Sequence, residues 1–323
     1  MTLLQVENLT VEFPSRRGTL TAIEDVCLTV APGEILGMVG ESGAGKSMTG
    51  AAIIGLIEPP GRIARGEIRL EGERIDNLDR EAMRRVRGRR IGAIFQDPLT
   101  SLNPVLTVGE QLIETIQTHL KLSRSAARER AIDWLRRVGI PAPEKRVDTY
   151  PHQYSGGMRQ RVVIALALCA EPRLIIADEP TTALDVSVQA QIIALLRKLC
   201  KETGASVILV THDMGVIAET ADRVAVMYAG RVIEVGTVAD VLRAPRHPYT
   251  AGLMASIPRI CEKPDILPQI DGSMPRLNAR PDGCAFNPRC PKRMDICTRL
   301  RPELTPDAHG DVACHLFSKE PAT

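Results

Sequence analysis

One glycine-rich segment limits the folds open to this chain more than any other feature. It reads Gly40-Glu41-Ser42-Gly43-Ala44-Gly45-Lys46-Ser47 and matches G-x-x-x-x-G-K-[ST] in full. An apolar run over residues 34–39 precedes it and a helical pattern over 47–57 follows it, which predicts a strand, a loop and a helix. Such glycines let backbone N–H groups converge on phosphate oxygens, Lys46 supplies a cation, and Ser47 can ligate Mg²⁺. The alternative is a glycine turn without a ligand.

A second apolar run ends in two carboxylates. Leu174-Ile-Ile-Ala177 is followed by Asp178 and Glu179. If this run is a strand of a parallel sheet, both carboxylates lie at the carboxyl edge of the sheet, beside the phosphate loop. We expect Asp178 to serve Mg²⁺, often through water, and Glu179 to polarise the attacking water in phosphoryl transfer. An acidic helix start is the alternative interpretation.

Short apolar runs alternate with helical patterns over residues 1–243. The runs at 34–39, 91–95, 174–177 and 206–210 are typical of buried strands, and helical patterns cover 46–57, 157–170 and 186–202. This alternation predicts an α/β sheet, with a helical insertion over 107–140. Of the 23 prolines, 12 lie between Pro245 and Pro321, so we place a domain boundary near residue 244 and a small second domain at 244–323.

Composition excludes several classes of protein. With 44% hydrophobic and 25% charged residues among 323, the chain is neither disordered nor collagen-like. Its longest apolar run has nine residues, far fewer than the ~20 that span a bilayer. The N-terminus has no secretory pattern, so we expect the protein to stay in the cytosol. A net charge of +2 provides no field for holding a polyanion, so nucleic acid is not an expected partner.

The motifs together resemble those of the ATP-binding-cassette ATPases. The other family motifs, in chain order, are Gln96 after a strand, Ser155-Gly156-Gly157-Met158-Arg159-Gln160, Ala183-Leu184-Asp185 and Thr211-His212-Asp213. The resemblance covers essentially all of residues 1–243. It implies a P-loop NTPase cassette with a RecA-like core, an antiparallel β subdomain and a helical subdomain at about 97–170.

The resemblance also implies roles for individual residues. Phe13 would stack on adenine, although tyrosine is more common at that position. Gln96 would sense Mg²⁺ and water, and His212 would hold the γ-phosphate during hydrolysis with Glu179 as general base. Asp185 would align two subunits.

Ser155, Gly156 and Gly157 match the signature segment of the family. In relatives this segment acts on the nucleotide of the opposite subunit, so the resemblance implies two ATPs sandwiched between two cassettes. The sequence departs from the common signature at Tyr154, usually leucine, and at Met158, usually glutamine.

Three further segments are similar to those of ATP-binding subunits of oligopeptide and dipeptide importers. They are Phe95-Gln-Asp-Pro-Leu-Thr-Ser-Leu-Asn-Pro104, Tyr150-Pro-His-Gln-Tyr-Ser-Gly-Gly-Met158 and Arg246-His-Pro-Tyr-Thr250. Such subunits work at the cytoplasmic face of the membrane with two permeases, an extracytoplasmic binding protein and usually a second, non-identical ATPase. Residues 97–150 would form the arm that accepts the permeases. Nickel and glutathione importers belong to the same branch, so the solute stays open.

Cysteines concentrate near the end of the chain. Cys284, Cys290, Cys297 and Cys314 follow C-x5-C-x6-C-x16-C in a segment that is poor in core residues and normally needs a staple. The spacing fits neither the short pairs of zinc sites nor the common ferredoxin patterns. The resemblance implies a 4Fe-4S cluster; zinc and free thiols remain alternatives. Elsewhere we expect core or inert positions for Cys27, Cys169 and Cys200, and a loop position for Cys261.

Two other interpretations stand beside transport. A cassette acting on nucleic acid or ribosomes would carry a long coiled-coil insertion or a duplicated cassette, whereas 108 residues separate Lys46 from Ser155 and the motifs occur once. Alternatively, the cysteine tail is a redox or metal sensor that gates the transporter. The basic run Arg84-Arg85-Val86-Arg87-Gly88-Arg89-Arg90 is expected at a solvated helix end, with lipid or permease contact as the alternative.

Overall fold

The computed structural model describes residues 2–16, 18–182, 184–257, 269–307 and 309–318. The strands are β1 (Leu4–Ser15), β2 (Gly18–Val30), β3 (Ile35–Val39), β4 (Arg62–Leu70), β5 (Glu73–Arg74), β6 (Ile91–Ile94), β7 (Leu174–Asp178), β8 (Ser206–Val210), β9 (Arg223–Tyr228), β10 (Arg231–Thr237), β11 (Thr305–Asp307) and β12 (Gly310–Val312). The helices are α1 (Lys46–Ile53), α2 (Arg80–Val86), α3 (Pro98–Ser101), α4 (Val108–His119), α5 (Arg124–Arg137), α6 (Pro143–Arg146), α7 (Gly156–Leu168), α8 (Val186–Thr203), α9 (Met214–Thr220), α10 (Val238–Arg243) and α11 (Pro248–Ala255). They form two compact units.

The first unit comprises Ala31–Ile35 and Asn77–Val210. Its sheet has three parallel strands in the order β8-β7-β6, with Leu174 opposite both Ile91 and Ser206. Most side chains of these strands are buried, which explains why the sequence shows continuous apolar runs instead of alternation. The three strands predicted in this unit are confirmed to within one residue.

Helices α4 and α5 confirm the predicted helical insertion of the first unit. Thr107 and Glu110 form a reciprocal capping box at the start of α4, and the Ser123 hydroxyl accepts a hydrogen bond from an amide of α5. Trp134 of α5 is fully buried, and Arg137 lies over its ring at 4.1 Å. The insertion therefore has its own apolar contacts around a large aromatic side chain.

The second unit comprises Thr2–Val30, Leu36–Asp76 and Thr211–Thr323. It contains an antiparallel sheet in the order β2-β1-β4-β5 and a group of strands in the order β11-β12-β10-β9-β3, in which β3 and β9 are parallel. Helix α1 ends at Ile53 rather than at residue 57 as predicted, because Gly55 turns the chain with a φ of 63°. No helix in the described part of the chain has the length and hydropathy needed to cross a membrane.

A buried carboxylate anchors the segment that follows α10. Glu234 is 2% exposed and accepts hydrogen bonds from the amides of Arg246 at 2.9 Å and His247 at 3.1 Å. Nδ1 of His247 accepts a hydrogen bond from the amide of Tyr249 at 3.0 Å and caps α11. Burial lowers the pKa of His247 to about 3, which keeps the ring neutral and able to accept that bond.

Candidate nucleotide site

The phosphate loop lies in the second unit, between β3 and α1. Gly40, Gly43 and Gly45 have φ values of 150°, 83° and 104°, a region that favours glycine. A Cβ at Gly40 would collide with the carbonyl oxygen of Met227, and one at Gly45 would lie 2.7 Å from Cγ2 of Ile23. Bulkier residues at these two positions would therefore displace the neighbouring chain or distort the loop.

Lys46 begins α1 and is nearly fully buried. Its Nζ donates hydrogen bonds to the carbonyl oxygens of Gly40 at 2.8 Å and Glu41 at 3.1 Å, which places the ammonium inside the loop. Helix α1 has no side-chain N-cap. In the rest of the loop Ala44 is buried, whereas the exposed residues are Ser42, Gly43 and Ser47. A helix N-terminus beside a buried ammonium is suited to binding polyphosphate.

Two residues far along the chain contact the same loop, and no motif in the sequence predicted a role for either. The hydroxyl of Tyr249 accepts a hydrogen bond from the amide of Glu41 at 2.9 Å. The guanidinium of Arg289 binds the Glu41 carboxylate at 3.1 and 3.2 Å. Tyr249 lies in the family-like segment at residues 246–250, whereas no local sequence pattern distinguishes Arg289 from the other arginines of the tail.

In the first unit, Glu179 and Gln96 lie together at the ends of neighbouring strands. Nε2 of Gln96 and Oγ1 of Thr182 each donate a hydrogen bond of 2.9 Å to Oε2 of Glu179. Asp178, half-buried, is the last residue of β7. Thr182 has no place in the predicted site, although it lies only three residues after Glu179.

The backbone of Glu179 is strained. Its φ of 44° is left-handed, which costs a non-glycine residue about 1–3 kcal/mol. The amide of Glu179 donates to the carbonyl oxygen of Val210 at 2.9 Å, which fixes this conformation. Backbone strain of this kind is typical of residues at functional sites, where the orientation of the side chain is fixed.

The signature residues of the first unit begin α7. Ser155 is the N-cap, and its hydroxyl accepts a hydrogen bond from the amide of Met158 at 3.3 Å. Gly156 and Gly157 form the first turn, and a Cβ at Gly157 would lie 2.9 Å from Cγ1 of Val188. The geometry matches an anion-binding helix start.

Tyr154, which precedes the signature, replaces the usual leucine without loss of burial. Its ring is 3% exposed, and its hydroxyl donates to the carbonyl oxygen of Arg146 at 2.6 Å. The Arg146 guanidinium lies 5.7 Å from the centre of the ring. The tyrosine is therefore a core residue with a satisfied hydroxyl.

The remaining predicted site residues lie on the surface or partly exposed. Asp185 is exposed and caps α8, accepting a hydrogen bond from the amide of Val188 at 2.9 Å. In the second unit, His212 is exposed and Phe13 is half-buried on β1. Ala183 lies outside the described residues.

The four tail cysteines lie in one neighbourhood. The amide of Cys284 donates to the carbonyl oxygen of Cys297 at 2.9 Å. Burial raises the pKa of Cys284 to about 11, and electrostatic interactions with Cys297, Cys314 and Cys290 add to the rise. Within the described ranges, however, no group of three or more His, Cys, Asp or Glu side chains is placed to hold a metal ion. The predicted 4Fe-4S cluster and its zinc alternative therefore have no support from the structure.

The other cysteines differ in environment. Cys169 and Cys200 are buried as expected, and burial raises the pKa of each to about 12, which makes their thiols inert. Cys27 is exposed on an outward-facing position of β2, so the core half of the expectation is wrong for it, and an inert thiol stays a prediction. Cys261 is outside the described residues.

The sequence matches two known families. The family described as ABC transporter covers residues 23–182, and that described as oligopeptide/dipeptide transporter, C-terminal region, covers residues 233–297. The chain is 46% identical over 315 residues to the dipeptide transport ATP-binding protein DppD of Haemophilus influenzae, covering 98% of this chain and 96% of that protein. It is 51% identical over 304 residues to the oligopeptide transport ATP-binding protein OppD of Bacillus subtilis, covering 94% and 85% respectively.

Solved structures agree with the sequence matches. The dimeric, post-hydrolysis ATP-binding cassette MJ0796, bound to ADP and Pi, aligns with a TM-score of 0.65 and 30% identity over 73% of this chain and 98% of that chain. The fold and the phosphate loop thus define a P-loop ATPase of the cassette type. The chain belongs to the ABC transporter ATP-binding family, in the branch that carries the oligopeptide/dipeptide transporter C-terminal region.

Proposed function

We propose that this chain is the ATP-hydrolysing subunit of an importer for di- and oligopeptides. The observation that carries the proposal is the near end-to-end similarity to dipeptide and oligopeptide transport ATP-binding proteins. The partners would be two membrane permeases and a second, non-identical ATPase, with an extracytoplasmic peptide-binding protein delivering the solute. The chain would then be a peripheral protein on the cytoplasmic face of the inner membrane. An importer of nickel or glutathione is the alternative.

The second unit would bind the nucleotide. Backbone amides of Gly40–Ser47 and the first turn of α1 would surround the phosphates, and Phe13 would stack on adenine. To reach the β- and γ-phosphates, Nζ of Lys46 would exchange its carbonyl partners for phosphate oxygens. Ser47 would hold Mg²⁺, which neutralises phosphate charge when bound, and the family resemblance alone assigns Mg²⁺ roles to Gln96 and Asp178 of the first unit. Hydroxyl, amide and carboxylate oxygens fit the ligand preference of Mg²⁺.

Glu179 would act as general base. Water attacks the γ-phosphorus, its proton passes to the Glu179 carboxylate, and the bond between the γ-phosphorus and the bridging oxygen breaks to release ADP and phosphate. The hydrogen bonds from Gln96 and Thr182 support this role because they hold one carboxylate oxygen in a fixed direction. His212 would hold the γ-phosphate as the transferred group leaves.

Assembly with a second cassette would complete each site. The start of α7, with Ser155, Gly156 and Gly157, would donate backbone hydrogen bonds to the nucleotide of the partner, and Asp185 would align the two chains. Closure on two ATPs would turn the permeases outward, and hydrolysis would reset them.

The helical subdomain would contact the permeases. Leu99 is 62% exposed and Val105 is 74% exposed, although both are large and apolar. Both side chains leave apolar surface that a partner protein could bury. This supports the predicted arm at residues 97–150.

The solute class can be tested in proteoliposomes that contain the full transporter. A labelled dipeptide, Ni²⁺ and glutathione are each offered with the cognate binding protein, and uptake and ATP hydrolysis are measured together. We expect ATP-dependent dipeptide uptake that is lost in Lys46→Ala. Uptake of Ni²⁺ or glutathione without dipeptide uptake would assign the alternative solute, and absence of ATP hydrolysis would overturn the proposed function itself.

We also propose, on the family resemblance alone, that the cysteine tail holds a 4Fe-4S cluster in the cell. Protein purified without oxygen would then contain stoichiometric iron and acid-labile sulfide, with broad absorbance near ~400 nm. Zinc without sulfide would indicate a structural zinc site. The absence of both iron and zinc would contradict the cluster and the zinc alternative alike.

A further inference from the structure

Glu41, the second residue of the phosphate loop, is hydrogen-bonded at its amide, its carbonyl oxygen and its carboxylate. The amide of Glu41 donates to the hydroxyl of Tyr249, and its carbonyl oxygen accepts from Lys46 at 3.1 Å and from the amide of Ala44 at 3.1 Å. Its carboxylate pairs with Arg289. Two of the partners, Tyr249 and Arg289, come from the C-terminal region, more than 200 positions away.

Contacts outside the phosphate loop hold the Arg289 side chain in place. Its side chain is 7% exposed, its Nε donates to the carbonyl oxygen of Asp271 at 2.8 Å, and its other nitrogens donate to Ile270 and to the hydroxyl of Tyr228. A guanidinium held this way cannot follow the carboxylate to another place. The position of Glu41 is therefore set by the C-terminal region.

The charge of this pair matters because of where it lies. Glu41 belongs to the segment in which backbone amides and Lys46 meet, so its carboxylate would repel the triphosphate of a bound nucleotide. Arg289 opposes that charge at 3.1 Å, and the carboxylate is only 29% exposed, which limits screening by water. Tyr249, fully buried, fixes the backbone of the same residue.

We propose that Arg289 is a positioning residue for nucleotide binding, which neutralises Glu41 so that the phosphate loop accepts ATP. The proposal rests on the proposed function, since it concerns the same nucleotide. It makes the C-terminal region part of the nucleotide-binding site.

The test compares the affinity of the full-length chain for ATP, ADP and AMP. Arg289→Gln should weaken ATP binding about tenfold, ADP less and AMP least, because the repulsion scales with the charge of the ligand. The double variant Arg289→Gln with Glu41→Gln should return ATP affinity to within about threefold of the wild type. A merely structural role of Arg289 would weaken all three ligands alike and show no rescue.

Arg299→Gln is the matched control, since Arg299 is an exposed arginine of the same tail. The Arg299→Gln chain should bind ATP, ADP and AMP with wild-type affinity. Glu41→Gln alone gives a second readout if Arg289→Gln fails to fold: it leaves Arg289 positive beside the loop, so ATP affinity should rise severalfold. Unchanged ATP affinity in Arg289→Gln, or weaker binding in Glu41→Gln, would overturn the proposal. Failure of the wild-type chain to bind ATP would instead contradict the proposed function.

Discussion

Replacing Thr182 with valine removes a hydrogen bond that holds the Glu179 carboxylate, and nearly preserves the shape of the side chain. The bond is 2.9 Å long and its acceptor is a carboxylate. Hydrogen bonds to charged groups contribute about 1.5–3 kcal/mol. Because Gln96 still donates to the same oxygen and Glu179 is half-buried, the lower end applies. A loss of about 1.5 kcal/mol from the transition state lowers kcat roughly tenfold.

The assay is steady-state ATP hydrolysis by the reconstituted transporter. Since Thr182 does not belong to the phosphate loop, the KM for ATP should change by less than about twofold while kcat falls. Thr182→Ser keeps the hydroxyl and should retain at least half of the wild-type kcat. A wild-type rate of ATP hydrolysis in Thr182→Val, or an equal loss of kcat in the serine and valine variants, would exclude this role of the Thr182 hydroxyl.

Three further outcomes are expected. Lys46→Ala removes the buried ammonium of the phosphate loop and should weaken ATP binding itself, so an unchanged dissociation constant in a direct titration would remove that role. Trp134→Ala should lower the free energy of unfolding by about 3–5 kcal/mol, measured with urea, because the ring is fully buried. Between pH 6.5 and about 3, His247 binds a proton in the unfolded chain but not in the folded one, so the free energy of unfolding should decrease as the pH is lowered through this range. His247→Asn should make the free energy of unfolding, measured by urea titration at several pH values, depend less on pH.

Local patterns predicted the two elements that flank the phosphate loop and the strand that ends at Asp178. The strand before Gly40, the helix start at Lys46 and the buried strand before Asp178 all depend on short-range periodicity and glycine chemistry, and all three are confirmed. The end of α1 was misplaced by four residues because apolar residues continue past Gly55, whereas the backbone turns there. The division of the chain at residue 243/244 stays a prediction.

Contacts between distant segments could not be predicted from spacing. Tyr249 stood out as part of a family segment, but its hydrogen bond to Glu41 crosses 208 positions, and Arg289 crosses 248. Such pairs are set by how β9, β10 and the tail pack, which depends on the whole unit. The spacing of the cysteines could not predict a metal site for the same reason. A metal site needs side chains that converge, and the sequence fixes only the number of residues between the cysteines.

In the proposed mechanism, transport depends on Glu179 acting as the general base of ATP hydrolysis. The direct measurement is ATP binding and ATP turnover by the assembled transporter carrying Glu179→Gln, with Glu303→Gln, an exposed glutamate of the C-terminal tail, as the matched control. We predict that the Glu179 variant binds ATP with near wild-type affinity and loses turnover at least a hundredfold, while the control does both normally. Near-normal ATP hydrolysis by the Glu179→Gln transporter would exclude Glu179 as the general base.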